Sequence, residues 1–158
     1  MPKITPFLWF DQQAEEAANF YTSVFKNSKI DRITRYGDAG PGPKGSVMTV
    51  GFQLDGQPFT ALNGGPTHKF NEAISFVVHC DSQPEVDHLW TQLTAGGKEI
   101  ACGWLKDKYG LAWQIVPQRF IEMLLDPDLQ KKERVMRAMM PMKKLDLAVL
   151  EAAYKGEV

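Results

Sequence analysis

The side chain whose ordinary pKa lies closest to neutrality is histidine, and the chain holds three: His68, His79 and His88. His79 closes the apolar run Ala73–Cys80, where a strand end can aim an imidazole at a bound molecule, so it is the candidate general acid or base. Its plainer reading is a histidine satisfied by hydrogen bonds at a strand end. His68 falls in a connector and His88 on the polar side of a helix, and both read as solvated. Asn63, Ser75 and Gln114 lie inside or at the ends of apolar runs, where a polar side chain ordinarily needs a partner. With Trp9 and Trp104 they would frame an aromatic cup holding a few amides and hydroxyls, the lining that suits a small uncharged or aromatic ligand. Trp90 and Trp113 read as core or cavity wall. The two cysteines, Cys80 and Cys102, lack the spacing of zinc or redox pairs and read as free thiols. Cys80 takes the strand face opposite His79 and is expected to be a small core residue. Gly64-Gly65 runs into Pro66 rather than opening a helix, so a Rossmann-type site for a nucleotide or for S-adenosylmethionine has no support.

These residues need strands to carry them. Ile4–Phe10 is almost wholly apolar and reads as a strand on which Thr5, Phe7 and Trp9 face a cavity while Ile4, Leu8 and Phe10 face a helix. Asp11 is expected to cap that helix, whose stripe is Ala14, Ala17, Ala18, Tyr21, Val24 and Phe25. The stretch 30–36 alternates without a clean apolar face and reads as a strand on length and composition. Val47–Leu54 and Gln57–Leu62 flank Asp55-Gly56, the signature of a tight hairpin. The second half repeats this order. Ala73–Cys80 is a strand, Ser82 with Glu85 makes a capping box, and Val86, Leu89, Trp90 and Leu93 recur at helical spacing. Lys98–Leu105 and Leu111–Val116 are strands around the turn at Asp107–Gly110. Placing Ile74 beneath Ile4 aligns Thr5 with Ser75, Asp11 with Asp81, Glu15 with Glu85 and Phe20 with Trp90 without a gap, a weak internal repeat. The expected architecture is therefore α+β: one domain over 1–158, with module one at 3–66, module two at 72–117 and a helical extension at 118–158. The Met-rich stripe of that extension reads as packing surface, either a cover for the sheet or part of a dimer interface.

Bulk properties narrow the partners. A chain of 158 residues can bury about two thirds of its unfolded surface. With a net charge of −1 it has no electrostatic basis for gripping a phosphate backbone, so nucleic acid is not expected. No apolar run approaches the roughly 20 residues that cross a bilayer, and no export signal is read at the N-terminus, so a cytoplasmic location away from membranes is expected.

Ile4–Phe10, Ala14–Ala18 with Phe20-Tyr21, Ala61–Pro66, Cys102–Trp104 and Trp113–Pro117 together resemble the PhnB-like, demethylubiquinone methyltransferase-like branch of the glyoxalase and extradiol dioxygenase superfamily, the vicinal oxygen chelate proteins. The resemblance spans nearly the whole chain. It implies paired βαβββ modules around a cupped mixed sheet, and a homodimer. Metal-using members of the wider superfamily put His, Glu or Gln at four inward positions; here the matching positions are Thr5 or Pro6, Asn63, Ser75 and Gln114. Hydroxyls and amides are poor ligands for zinc, nickel or iron, so neither a metal nor another cofactor is expected. The leading expectation is metal-independent binding of a small molecule at Trp9, Asn63, Ser75, His79, Trp104 and Gln114. The rivals are a lyase, isomerase or transferase using His79, and an interaction module acting through the C-terminal helix.

Overall fold

The computed structural model describes residues 2–157; Met1 and Val158, the ends of the expected 1–158 span, lie outside the described residues. The chain divides into two compact units between Phe70 and Asn71, inside the expected connector. Each carries one βαβββ module, and the C-terminal helices belong to the second.

The first unit runs β1 (Phe7–Phe10), α1 (Ala14–Val24), β2 (Lys29–Arg35), β3 (Val47–Leu54) and β4 (Gln57–Asn63). Its mixed sheet has the order β1-β4-β3-β2, with β1 parallel to β4 and the other pairs antiparallel. Side chains alternate across a strand, so Leu8, Phe10, Val50, Phe52, Phe59 and Ala61 share the helix-covered face and are buried. Tyr21 from α1 stacks on Phe52 at 6.2 Å, and Phe52 on Phe59 at 5.4 Å. Each such ring adds roughly 2–3 kcal/mol of burial. Asp55-Gly56 turns the β3–β4 hairpin with positive φ at both residues, 48° and 81°, as its sequence requires.

The first strand begins at Phe7, and Ile4, expected on the helix side, is 85% exposed because it precedes the strand. The helix cap is not Asp11: Gln13 holds the N-cap position without a side-chain bond, and the Ala14 N–H donates to Oδ1 of Asn63 across 2.8 Å. A strand-end amide thus does what a local carboxylate was expected to do.

The poor alternation of 30–36 also has a cause. Ile30 pairs with Phe52 and Arg32 with Gly51, so Asp31 is an extra residue in β2. This bulge lets Ile30 and Ile33 both follow the helix side while Asp31 and Arg32 both turn to the other face.

The second unit runs β5 (Ser75–Cys80), α2 (Gln83–Thr94), β6 (Lys98–Glu99), β7 (Trp104–Lys106) and β8 (Ala112–Pro117), then α3 (Gln118–Leu124), α4 (Leu129–Met139) and α5 (Leu147–Lys155). Its sheet order, β5-β8-β7-β6, repeats that of the first unit. Ser82 accepts from the Glu85 N–H at 3.4 Å, and Glu85 reaches back to the Asp81 N–H at 2.8 Å, a capping box displaced by one residue. The expected strand 98–105 is two short strands, because Cys102 and Gly103 take φ of 55° and 88° and turn the chain between them. Asp107, expected only as a turn residue, is a buried hydrogen-bond acceptor of this unit: its carboxyl accepts from the Tyr109 and Leu111 N–H groups and from Trp113 Nε1 at 2.9, 3.1 and 2.9 Å.

The extension packs a core of its own onto Val116, with Phe120, Met123, Val135, Met139, Leu145 and Leu150 buried together. Gln83 of α2 clamps it, donating to the Leu145 carbonyl at 3.0 Å and accepting from the Leu147 N–H at 2.7 Å. Gly103 donates to the Lys143 carbonyl at 2.7 Å. The tail is thus a cover fastened to the end of the second sheet.

Candidate functional site

In each unit the sheet face away from α1 or α2 is where a ligand can reach side chains. On β8, Trp113 and Ile115 are buried and Gln114 therefore points the other way. The register sets Val77 of β5, Gln114 of β8 and Trp104 of β7 in one row. Gln114 Nε2 donates to Ser75 Oγ at 3.0 Å. His79 lies on the same face, two residues beyond Val77 and opposite Val116. Ordinary strand rise puts it about 13 Å from Ser75. Val77 is 42% exposed and His79 exposed, while Trp104 is half-buried. The second unit thus brings Ser75, His79, Trp104 and Gln114 onto one face. Among the described residues neither the His79 ring nor the Trp104 indole N–H has a hydrogen-bond partner. Lys106 edges this face and is engaged, its Nζ 2.6 Å from Glu72, whose carboxyl is held below its ordinary pKa by that hydrogen bond.

Behind the sheet, Cys80 is buried, and burial, with the charge of Glu85 next, pushes its thiol pKa up to about 12. It stays protonated and inert near neutrality, the behaviour of a core thiol. Cys102 directs its sulfur to the Met139 and Met140 carbonyls at 3.8 and 3.5 Å, so it meets the extension.

In the first unit the expected residues have other duties. Trp9 does lie on the open face, yet its indole N–H donates to the Gly65 carbonyl at 2.9 Å and His68 stands edge-on to its ring at 4.7 Å. Glycine is needed beside it, since a Cβ on residue 64 would come within 2.5 Å of the indole. Asn63 pairs with Phe10 and follows the parity of Phe59 and Ala61, which places it on the helix side. Its Oδ1 caps α1, its Nδ2 donates to the Val47 carbonyl at 3.1 Å, and its carbonyl accepts from Tyr36 Oη. It lines a cleft of about 450 Å³ beside Tyr36, with its amide engaged by backbone at both ends. The polar residue of β4 that does face the open side, between Pro58 and Leu62, is Thr60, opposite Phe7 and Gly51. That parity was legible from the apolar neighbours Phe59 and Ala61. Thr5, Asp31, Arg32, Gly51, Gln53 and Thr60 line a second cleft there, of about 410 Å³. Arg32 was not foreseen, because nothing in the sequence announces the bulge that turns it outward.

The open faces offer hydroxyls, amides, the His79 imidazole and the Asp31 carboxylate, a set poor in the ligands transition metals favour, and no group of three or more His, Cys, Asp or Glu able to hold an ion occurs among the described residues.

The model of a family described as 3-demethylubiquinone-9 3-methyltransferase matches residues 2–116. Among solved structures, a Bacillus cereus PhnB protein that carries that description provisionally is 39% identical, with a TM-score of 0.67, covering 73% of this chain and 99% of its own. A Pseudomonas aeruginosa protein is 21% identical, with a TM-score of 0.62 over 75% of this chain and 98% of its own. The fosfomycin resistance protein FosX of Mesorhizobium loti is 12% identical, with a TM-score of 0.54 over 80% of this chain and all of its own, a likeness of fold. No curated protein matches the chain.

Proposed function

Because the chain belongs to the 3-demethylubiquinone-9 3-methyltransferase, PhnB-like family of the glyoxalase superfamily, we propose that it binds a small uncharged or aromatic molecule on an open sheet face without a metal ion. The observation that carries this reading is the Gln114–Ser75 pair, 3.0 Å apart, set among Val77 and Trp104 on the sheet face opposite buried Trp113 and Ile115. An indole wall with a free N–H, an amide and a hydroxyl can orient a ring that bears one oxygen. The test is titration of the full chain with benzamide and with phenol, read by tryptophan fluorescence and thermal midpoint, with and without chelator. The reading expects at least one probe to bind equally in both conditions and Gln114→Leu to weaken it roughly tenfold. Binding that appears only on adding a divalent ion, or no response to either probe, overturns it.

A second reading, an enzyme moving a proton with His79, is favoured by the unpartnered imidazole on the same face. Gln114 would polarise a substrate oxygen. Turnover of a bound oxygenated aromatic that is lost in His79→Ala while binding persists would establish it. The methyl transfer named in the family's description calls for S-adenosylmethionine, and Gly64-Gly65-Pro66 is no Rossmann loop, so calorimetry with that compound should show no binding. We also read the protein as a cytoplasmic homodimer, with sedimentation velocity as the check on subunit number.

A further inference from the structure

We propose that the open face of the first unit is an oxyanion site, in which Arg32 takes the carboxylate or phosphonate head of a small organic anion. The bulge at Asp31 turns Arg32 onto this face, where it lines the 410 Å³ cleft with Thr5, Gln53 and Thr60. Glycine at the paired position makes room for it: a Cβ on residue 51 would lie 3.3 Å from Arg32 Cγ and 3.7 Å from Nε, so the arginine stem lies across β3. Among the described residues the Arg32 guanidinium has no ion-pair or hydrogen-bond partner.

The neighbouring charges are accounted for. Asp31 is held by Gln53 Nε2, 3.1 Å from each carboxylate oxygen, and stands 4.0 Å from Lys29 Nζ. Lys106, which edges the corresponding face of the second unit, is tied to Glu72 at 2.6 Å. An uncommitted guanidinium beside the hydroxyls of Thr5 and Thr60 matches the planar, forked geometry of a carboxylate and accepts a phosphonate equally well. The plainer role for Arg32, a charge guarding the edge strand β2 against pairing with other chains, needs neither the cleft nor Gly51. This inference concerns the first unit and does not rest on the Gln114–Ser75 pair.

The test is calorimetric titration of the full chain at low ionic strength with benzoate, phenylphosphonate and neutral benzamide. The inference expects at least one of the two anions to bind more tightly than benzamide, with affinity falling as salt is added. Arg32→Gln should weaken that anion roughly 10- to 100-fold, the range for a hydrogen-bonded charge, and Arg32→Lys should weaken it less. The relative affinity of the two anions tells a carboxylate head from a phosphonate head. Arg35→Gln is the control, since that guanidinium reaches the Gly45 carbonyl at 3.2 Å, and it should leave affinity unchanged. Arg32 is exposed, so folding should survive, and an unchanged thermal midpoint without ligand checks this. Benzamide binding as tightly as both anions, Arg32→Gln leaving anion affinity intact, or none of the three probes binding would each overturn the proposal. Gln114→Leu separates the two sites: it should spare the anion while weakening the neutral ring.

Discussion

The two units share one backbone plan and differ on the face that the plan leaves open. In the first, the row across the sheet is Phe7, Thr60, Gly51 and Arg32; in the second it is Val77, Gln114 and Trp104. Where one sheet has a glycine with an arginine lying over it, the other has an indole beside an amide. The helix-covered faces did not diverge in this way: Leu8, Phe10 and Phe52 in the first unit and Ile115 and Leu105 in the second remain buried and apolar. Folding energy comes from burial, so helix-side positions are constrained to be apolar and well packed. Open-face positions contribute little to stability and are free to acquire a ligand's chemistry.

The hairpins and helix starts differ too, and those differences can be broken by substitution. The largest effect should come from Asp107→Ala, which leaves three N–H groups without their buried acceptor and should cost about 3 kcal/mol. The corresponding β3–β4 hairpin turns on Asp55 at a φ of 48°, and Asp55→Ala should cost about 1 kcal/mol, the left-handed penalty alone. Urea unfolding of the two variants measures both; equal losses would remove the contrast between a buried turn acceptor and a conformational turn.

Next in size is the cap that crosses the first unit. Asn63→Ala removes the acceptor for Ala14 and the donor to Val47, and about 2 kcal/mol should go with it. Ser82→Ala removes only a 3.4 Å bond within the α2 cap, so about 0.5 kcal/mol is expected. If Asn63→Ala instead kept full stability and lost a ligand, its amide would belong to a site rather than to the helix.

The smallest effect near neutrality concerns the thiols. The folded pKa of Cys80 is raised to about 12 from an unfolded value near 9. Its contribution to stability is therefore whole below pH 9 and fades as pH rises from about 9 through 12. Stability profiles of the wild type and Cys80→Ala should run parallel from pH 6 to 8 and converge above pH 9. Iodoacetamide at pH 8 should label Cys80 only as fast as the chain opens.

Much of this fold was legible in the sequence because it is written in short-range signals. Asp55-Gly56 has few other uses than a tight turn, Ser82-x-x-Glu85 marks a helix start, and the stripe Val86, Leu89, Trp90, Leu93 has the helical period. The gap-free match of Ile4 with Ile74 carried the repeat. Periodicity also placed Ser75 and His79 on one face, and the register then added Gln114 and Trp104.

How polar groups far apart in sequence spend their hydrogen bonds is fixed by long-range packing alone. Asn63 and Trp9 looked available for a ligand until Ala14, 49 positions away, and Gly65, 56 positions away, were seen to occupy them. The bulge at Asp31 is likewise a property of two strands in register, since β2 alone does not say which residue is extra. Composition and period are local and survive in the sequence. Satisfaction of a buried donor or acceptor is pairwise and long-range, so it is settled only when the chain has folded.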